Sequence, residues 1–356
     1  MKKIAYVPMS SNYSAPGDRR RFCSFLKNKK IDFEFYDKNK IYDVIVISQN
    51  ADLSYWANFK KGKTKIIFDF CDAYLFEELS FRKVLRGIGK YITKQNVYLN
   101  FNYVKLIKKV CSNSDAIICT TEAQKNKLLK YCNNVEIILD TQENEISPLV
   151  KADIQPMNNK SDKLNIFWEG QAGNLNSLNK IIELLNEFLS KDLINIFFLT
   201  DKKSQYFSRI NIYRDTNKIL KNKFKNSKNV FLIEWNKENL SRIGKKCDIG
   251  IIPVINHHNG MYAHKPANKL HLMWRLGLPV LASPTPAIIR SNEISGINLL
   301  CYKKKDWIKF INFFLKNKQD IQMISNKLKI VVKENFSDDK EFKKWDLVFE
   351  KINSPI

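Results

Sequence analysis

The chain has 356 residues, with 60 Lys and Arg against 36 Asp and Glu, so its formal net charge is +24. A hydrophobic content of 44% with 12% aromatic residues supplies real cores and excludes a disordered chain. The length predicts two domains of ordinary size. The apolar runs are too short for a membrane-spanning helix, and the first residues are typical of a buried strand rather than a signal peptide.

In the first part of the chain, short apolar β-rich runs alternate with helical patterns. The predicted strands are residues 3–7, 33–36, 43–48, 65–70, 116–120 and 136–139. Helical patterns at 20–28 and 122–131 lie between them. Such alternation predicts βαβ units around a parallel sheet, because continuous apolar runs are typical of strands buried on both faces.

A polar stretch at 140–163 then predicts a linker, after which the alternation begins again. The later predicted strands are 164–168, 194–199, 229–233, 248–253 and 280–282, and the helices are 178–189, 240–246, 269–276, 306–316, 320–335 and 339–352. The predicted fold class is therefore α/β, with two doubly wound Rossmann-like domains. Their predicted bounds are 1–150 and 164–335, followed by a C-terminal helix within 336–356.

The seven cysteines are scattered without a CxxC pair, which predicts neither a disulfide framework nor a zinc site and favours a reducing, cytoplasmic compartment.

The net positive charge allows two interpretations: a polyanionic partner, or a Lys-, Asn- and Ile-rich background produced by AT-rich coding. Residues 79–114 are more informative, because they contain no acid among many aromatic and aliphatic residues. Their basic residues are Arg82, Lys83, Arg86, Lys90, Lys94, Lys105, Lys108 and Lys109. This pattern fits either a helix docking on an anionic membrane or a core helix with solvated lysines.

Because ligands of doubly wound sheets bind beyond the carboxyl ends of the strands, the loops there are the candidate sites. The loop after the first strand carries Asp18 and the arginines Arg19, Arg20 and Arg21 at a helix start. Arginines in this place suit phosphate or carboxylate groups, although a solvated basic turn is the alternative. After the fourth strand come Asp69 and Asp72, which fit either general-base chemistry or helix capping.

Two further loops belong to the second domain. Gly170 and Gly173 follow its first strand, where they would let a ligand approach the backbone, and the next helix is expected to be capped near residues 176–177. The region 253–283 carries Lys265 and Lys269 near a helix start, as cations for a leaving diphosphate or as ordinary solvated lysines. The histidines at 257, 258, 264 and 271 allow metal binding, but the HExxH pattern is absent.

The motifs at 248–253, 265–270 and 277–283 resemble the donor half of GT-B glycosyltransferases, closest to the family-4-like enzymes of bacterial surface polysaccharide synthesis. Segments 16–22, 69–72 and 114–122 resemble the same group. The resemblance implies a cleft between an acceptor-side first domain and a nucleotide-sugar donor domain, with the last helix returning to the first domain. It also implies that no cofactor and no metal is needed, because basic side chains and a helix N-terminus take the diphosphate charge.

By this resemblance, the donor would be held by Gly170, Gly173, Trp235, Lys265, Asn268 and Lys269, with an ordinary packing role as the alternative for Trp235. Arg19, Arg20 and Arg21 would bind acceptor or phosphate, and Asp18 or Asp72 would be the catalytic base if the reaction inverts. The sequence departs from the family pattern at one position. Many relatives have a Glu there that holds the donor ribose, whereas this chain has Leu272.

The expected function is transfer of a sugar from a nucleoside-diphosphate sugar to a glycan or lipid-linked acceptor of lipopolysaccharide, O-antigen or capsule. The expected location is the cytoplasm, with peripheral attachment to the membrane through residues 79–114. The alternatives are a sugar-nucleotide epimerase, a polyol-phosphate transferase and a basic nucleic-acid-binding protein. Nucleic acid is not an expected partner, because no RRM, KH or zinc-finger pattern is present. The donor sugar, nucleobase, acceptor, stereochemistry and oligomeric state stay open.

Overall fold

The computed structural model describes residues 2–13, 15–76, 81–147, 162–205, 213–225, 227–255, 257 and 260–353. Residue contacts divide the chain into two compact units. The first unit contains Met1–Thr141, Asn259–Pro266 and Ser337–Ile356, and the second contains Gln142–His258 and Ala267–Phe336. Most of the predicted linker, residues 148–161, lies outside the described residues.

The first unit is built on a six-stranded parallel sheet in the order β2-β1-β3-β4-β5-β6. Its strands are β1 (Ile4–Val7), β2 (Glu34–Phe35), β3 (Val44–Ser48), β4 (Lys65–Asp69), β5 (Ala116–Cys119) and β6 (Val135–Ile137). Its helices are α1 (Pro16–Arg19), α2 (Phe22–Lys29), α3 (Leu53–Trp56), α4 (Phe81–Ile92), α5 (Tyr103–Asn113), α6 (Glu122–Leu128), α10 (Gly260–Ala263) and α15 (Asp338–Lys351). Every residue of β3 and β5 is buried, which agrees with the apolar runs at 44–47 and 116–119.

The C-terminal helix α15 covers one face of this sheet. Trp345 is fully buried, and its ring centroid lies 5.1 Å from that of Phe22 and 5.8 Å from that of Phe25. Glu341 accepts a 2.6 Å hydrogen bond from the backbone N–H of Leu139, which lies just beyond β6. The last helix therefore belongs to the first unit.

The second unit contains a five-stranded parallel sheet in the order β11-β8-β7-β12-β13 and an antiparallel pair, β9 and β10. The strands are β7 (Leu164–Glu169), β8 (Ile194–Thr200), β9 (Lys203–Gln205), β10 (Tyr213–Asp215), β11 (Val230–Glu234), β12 (Ile249–Ile252) and β13 (Val280–Ala282). The helices are α7 (Ile182–Ser190), α8 (Thr216–Lys223), α9 (Lys237–Gly244), α11 (Asn268–Arg275), α12 (Pro286–Ser295), α13 (Lys304–Lys316) and α14 (Lys318–Asn335). Taken in chain order, these five strands have the Rossmann arrangement 3-2-1-4-5.

Two local predictions in the second unit were wrong. Instead of one helix over 178–189, a 3-10 helix spans Ala172–Lys180 and α7 begins at Ile182. The 3-10 helix begins directly after Gln171, so no helix starts at residues 176–177. The pair β9–β10 and the helices α8 and α12 were not predicted at all. The larger prediction, two α/β units with parallel sheets, is confirmed.

Candidate functional site

The second unit offers a ligand position where its strand order reverses, between β7 and β12. In open α/β sheets, ligands bind at this reversal, beyond the carboxyl ends of the strands. Strand β7 ends at Glu169, and Gly170 follows it directly. Helix α11 begins at Asn268 without a side-chain cap, so its first N–H groups are available to an anion.

Lys269, in the first turn of α11, is held at the end of β7. Its Nζ donates a 3.0 Å hydrogen bond to the backbone oxygen of Glu169, and it lies 5.5 Å from the centre of the Trp168 ring. Gly170 has a φ of +156°, and a Cβ at this position would overlap the Lys269 ammonium. The structure therefore brings Gly170, Lys269 and the start of α11 together.

Asn268 adds a polar atom to the same helix start. Its side-chain Oδ1 is buried and has no hydrogen-bond partner among the residues that the structure describes. Its backbone oxygen accepts a 2.7 Å bond from Nε2 of Gln142. Gly173 lies in the 3-10 helix, and a Cβ there would meet open space.

Sequence reasoning missed Glu169, a buried carboxylate at the end of β7. Its Oε1 accepts a 3.1 Å hydrogen bond from Nε1 of Trp235. Trp235 is thereby attached to the same strand end as Lys269. A signal was present, since Glu169 is the acid directly after a predicted buried strand. Leu272, the position where the family resemblance would place a glutamate, is buried in the core.

In the first unit, Asp72 and Lys265 form a second cluster beyond the end of β4. Lys265 Nζ lies 3.9 Å from Asp72 Oδ1, and the two side chains are 38% and 32% exposed. Buried Gln49 positions Asp72, because its Oε1 accepts a 2.7 Å bond from the Asp72 backbone N–H and its Nε2 lies 3.4 Å from Asp72 Oδ2. Sequence reasoning did not single out Gln49.

The neighbour of Lys265 is anchored to the first unit. The ring of His264 stacks on Phe76 with a centroid distance of 3.6 Å and an interplanar angle of 6°. Thr121 Oγ1 donates a 3.5 Å bond to the backbone oxygen of His264. Lys265 thus belongs to the first unit, whereas Asn268 and Lys269 belong to the second.

Asp18 lies buried in the loop after β1, where it organises the backbone. It accepts hydrogen bonds from the Tyr6 hydroxyl at 2.7 Å, from the backbone N–H groups of Met9 and Ser10 at 2.6 and 2.9 Å, and from the Ser10 hydroxyl at 2.8 Å. Its exposed fraction is 0%. These four donors occupy both carboxylate oxygens.

The three consecutive arginines have different surroundings. Arg21 is fully buried: its Nη2 lies 2.6 Å from Asp69 Oδ1, and its Nη1 donates to Asp140 Oδ1 at 3.1 Å and to the Ile138 backbone oxygen at 2.9 Å. Burial raises the pKa of Asp69, and the Arg21 guanidinium offsets part of that rise. Arg20 is buried and Arg19 is half-buried, so Arg19 is the most accessible of the three.

The histidines have separate partners. His257 Nδ1 lies 2.9 Å from Lys180 Nζ, while His271 Nε2 lies 2.9 Å from the Ser291 hydroxyl. Burial lowers the pKa of Lys180. Within the described ranges, no group of three or more His, Cys, Asp or Glu could hold a metal ion. The fourth histidine, at 258, lies outside those ranges.

No family model matches the chain, and no curated protein matches it. Solved structures do match. Anabaena HepE in complex with UDP-glucose has a TM-score of 0.64 at 11% identity, covering 99% of this chain and 100% of HepE. Staphylococcus aureus TarM, solved with UDP, fondaparinux and α-GlcNAc-glycerol, has a TM-score of 0.59 at 13% identity and covers 89% of this chain.

Both are GT-B glycosyltransferases. This chain has the GT-B fold. It spans 57% of the length of TarM. A Listeria monocytogenes protein assigned as a UDP-N-acetylglucosamine 2-epimerase also matches, with a TM-score of 0.56 at 10% identity over 100% of both chains. At these identities the similarity is one of fold.

Proposed function

We propose that this chain is a glycosyltransferase that moves a sugar from a nucleoside-diphosphate sugar to a glycan or lipid-linked acceptor of a surface polysaccharide. The observation that carries the proposal is Lys269, fixed by the Glu169 backbone oxygen at the strand reversal, beside the uncapped start of α11. An ammonium and a helix N-terminus are complementary to a diphosphate. The HepE structure with UDP-glucose supports a donor of this class.

Residues around Lys269 would hold the rest of the donor. The buried Oδ1 of Asn268 is a free acceptor for a donor hydroxyl or N–H group. Glu169 and Trp235 would contact the nucleoside, with Glu169 as the carboxylate for ribose hydroxyls in place of the acid that Leu272 replaces. Gly170 and Gly173 would give the donor access to the backbone.

In the reaction, an acceptor hydroxyl oxygen bonds to the anomeric carbon, and the bond from that carbon to the diphosphate breaks. The nucleoside diphosphate leaves with the electron pair, and the acceptor gives up a proton. We propose Asp72 rather than Asp18 as the base of an inverting reaction, because Asp72 is 32% exposed whereas Asp18 is buried among four donors. Arg19 is the arginine available to an anionic acceptor group. A role of Lys265 towards the donor phosphates stays a prediction.

The test is ligand stabilisation followed by an activity assay. Thermal shifts with UDP, GDP, dTDP, ADP and CMP should show stabilisation by at least one nucleoside diphosphate, lost in Lys269→Ala. Lys309→Ala, an exposed lysine of α13, is the matched control and should behave as wild type. Stabilisation by none of the five, or an unchanged Lys269→Ala, contradicts the donor-site proposal.

An epimerase is the second candidate, favoured by the Listeria match over the whole chain. The two reactions have different products. A glycosyltransferase releases nucleoside diphosphate that depends on added acceptor, whereas an epimerase converts the donor sugar without any acceptor. Quantifying both products in the presence and absence of acceptor distinguishes them.

We also propose that the protein is cytoplasmic and attaches peripherally to the membrane through residues 79–114. No helix within the described residues is long and apolar enough to cross a bilayer. Six large apolar side chains at 91–101 are 46–72% exposed: Tyr91, Ile92, Val97, Tyr98, Leu99 and Phe101. Exposed apolar groups beside lysines are the composition that binds an anionic interface. Flotation with anionic liposomes should therefore fail for an Ile92→Ser, Val97→Ser, Leu99→Ser triple variant, and equal flotation contradicts this proposal.

A further inference from the structure

A lysine-lined groove lies at the amino ends of β3 and β4, on the sheet edge opposite the Asp72–Lys265 cluster. Its volume is about 780 Å³. We call it the lysine groove. Its basic lining residues are Lys2, Lys38, Lys40, Lys60, Lys61, Lys63 and Lys65. Asp43 is the only acidic residue among those that line it.

Four of the seven groove lysines form no ion pair within the part of the chain that the structure describes. Lys61 and Lys65 share Asp115 at 3.0 and 3.4 Å, and Lys40 pairs with Glu34 at 2.5 Å. Four others, Lys2, Lys38, Lys60 and Lys63, form no ion pair with any residue that the structure describes. Like charges held this close repel one another, so a phosphate-bearing ligand would relieve the repulsion.

The floor of the lysine groove is formed by packed aromatic side chains. The hydroxyls of Tyr36 and Tyr55 lie 2.7 Å apart, and the Tyr36 ring packs against Trp56 at a centroid distance of 4.9 Å. The Tyr42 hydroxyl accepts a 3.0 Å bond from the Asp37 backbone N–H. Lys65 begins β4, and the other six lysines lie in the loops and turns beside this aromatic base.

Helix α3 connects the lysine groove to the exposed apolar segment 91–101. At its start, Asp52 Oδ2 accepts a 2.7 Å bond from the Val97 backbone N–H, and the Ser54 hydroxyl accepts a 3.0 Å bond from that of Tyr98. Tyr55 of the same helix lines the groove. Helix α3 and its capping residue Asp52 therefore contact segment 91–101, while Tyr55 of the same helix contributes to the groove. At the groove itself, Ile41 is 87% exposed beside Lys40.

We propose that the lysine groove binds the phosphate of an anionic phospholipid headgroup, so that the groove and segment 91–101 dock the first unit on a bilayer. Lysine clusters next to exposed apolar side chains are complementary to an anionic leaflet, which attracts each cation and accepts the apolar groups. A soluble polyanion would account for the lysines but not for the exposed Ile41 and segment 91–101. The proposal rests on the membrane attachment proposed above and assigns it a specific headgroup site.

The test compares vesicle binding by the full chain and two charge-matched triple variants. Lys38→Gln, Lys60→Gln, Lys63→Gln removes three unpaired lysines from the groove. Lys305→Gln, Lys309→Gln, Lys316→Gln removes three exposed lysines from α13. With vesicles containing phosphatidylglycerol, the groove variant should lose about tenfold or more in affinity, because each lysine near an anionic surface contributes separately. The α13 variant should bind like wild type.

Further binding measurements identify the ligand of the lysine groove and test it independently of the donor site. Equal losses in the two triple variants, or equal binding of purely phosphatidylcholine vesicles, overturns the headgroup site. The headgroup site is also overturned if the groove variant binds tripolyphosphate or duplex DNA more weakly than wild type but keeps wild-type affinity for the vesicles. Stabilisation by the nucleoside diphosphate that binds wild type should be unchanged in the groove variant. Failure of all five nucleotides to stabilise wild type would contradict the donor site and leave the vesicle result independent.

Discussion

Gly170 is the residue at which a single methyl group tests the position of Lys269. A Cβ there would overlap the ammonium, and the φ of +156° disfavours any L side chain. Gly170→Ala should therefore displace Lys269 and weaken nucleoside-diphosphate binding about 10- to 100-fold, the loss expected for a hydrogen bond to a charged group. Isothermal titration measures the change. Gly89→Ala, where a Cβ meets open space, is the control. Wild-type affinity in Gly170→Ala would show that Lys269 does not contact the donor.

His271 is a second residue with a measurable consequence, in the pH dependence of stability. It is 4% exposed and stacks on Phe336, and burial together with nearby Arg275 lowers its pKa from 6.5 to about 3. Between pH 6.5 and pH 3 the His271 side chain is protonated in the unfolded chain but neutral in the folded chain. The contribution of neutral His271 to the free energy of unfolding is therefore complete above pH 6.5 and is lost as the pH falls towards 3. At pH 5 the loss is about 2 kcal/mol.

The measurement is urea unfolding at pH 7 and pH 5. In His271→Gln the difference in unfolding free energy between the two pH values should shrink by about 2 kcal/mol relative to wild type. An unchanged difference would mean that His271 is protonated in the folded protein or accessible to water.

At the scale of elements, the Arg21–Asp69 pair fixes helix α2 against strands β4 and β6. Both side chains are fully buried, and removing one partner leaves the other charge without its compensation. Asp69→Ala should lower the unfolding free energy by about 3–5 kcal/mol, and the Arg21→Met, Asp69→Leu double variant should recover most of that loss.

Glu187→Gln is the control for that prediction, because it breaks an ion pair with Lys191 whose side chains are 57% and 60% exposed. It should change stability by about 0.5 kcal/mol or less. A double variant as unstable as Asp69→Ala would mean that the site cannot repack without its charges.

These elements also show what the sequence could predict. The strands of both parallel sheets were predicted within a few residues, because most of them are apolar runs between polar segments, and β3 and β5 are buried along their whole length. The 3-10 helix Ala172–Lys180 and the pair β9–β10 were not predicted, because their sequences lack a clear apolar period. The burial of Arg21 depends on Asp69 and Asp140, which are 48 and 119 positions away, and the link of Trp235 to Glu169 spans 66 positions. Such pairings are set by the packed sheet and have no local signal.

At the scale of the whole molecule, the net charge of +24 has separable parts. Some cations are structural, as Arg21 is, and others lie on exposed helix faces, as Lys305 and Lys309 do. The lysine groove concentrates unpaired charge at one edge of the first sheet, whereas Lys269 brings one ammonium to the strand reversal of the second. The total is therefore a poor guide to partners, and the local placement of each lysine is a better one.

That placement predicts how the protein responds to chelators and to salt. If Lys269 and the start of α11 carry the diphosphate charge, transfer needs no divalent ion, so activity in EDTA should equal activity in added Mg²⁺ or Mn²⁺. Raising the NaCl concentration should instead raise KM for the donor, because salt screens the attraction between an ammonium and phosphate. Steady-state rates with donor varied at several salt concentrations test both statements. Activity that EDTA abolishes and Mn²⁺ restores would show that a metal, rather than these cations, neutralises the leaving group.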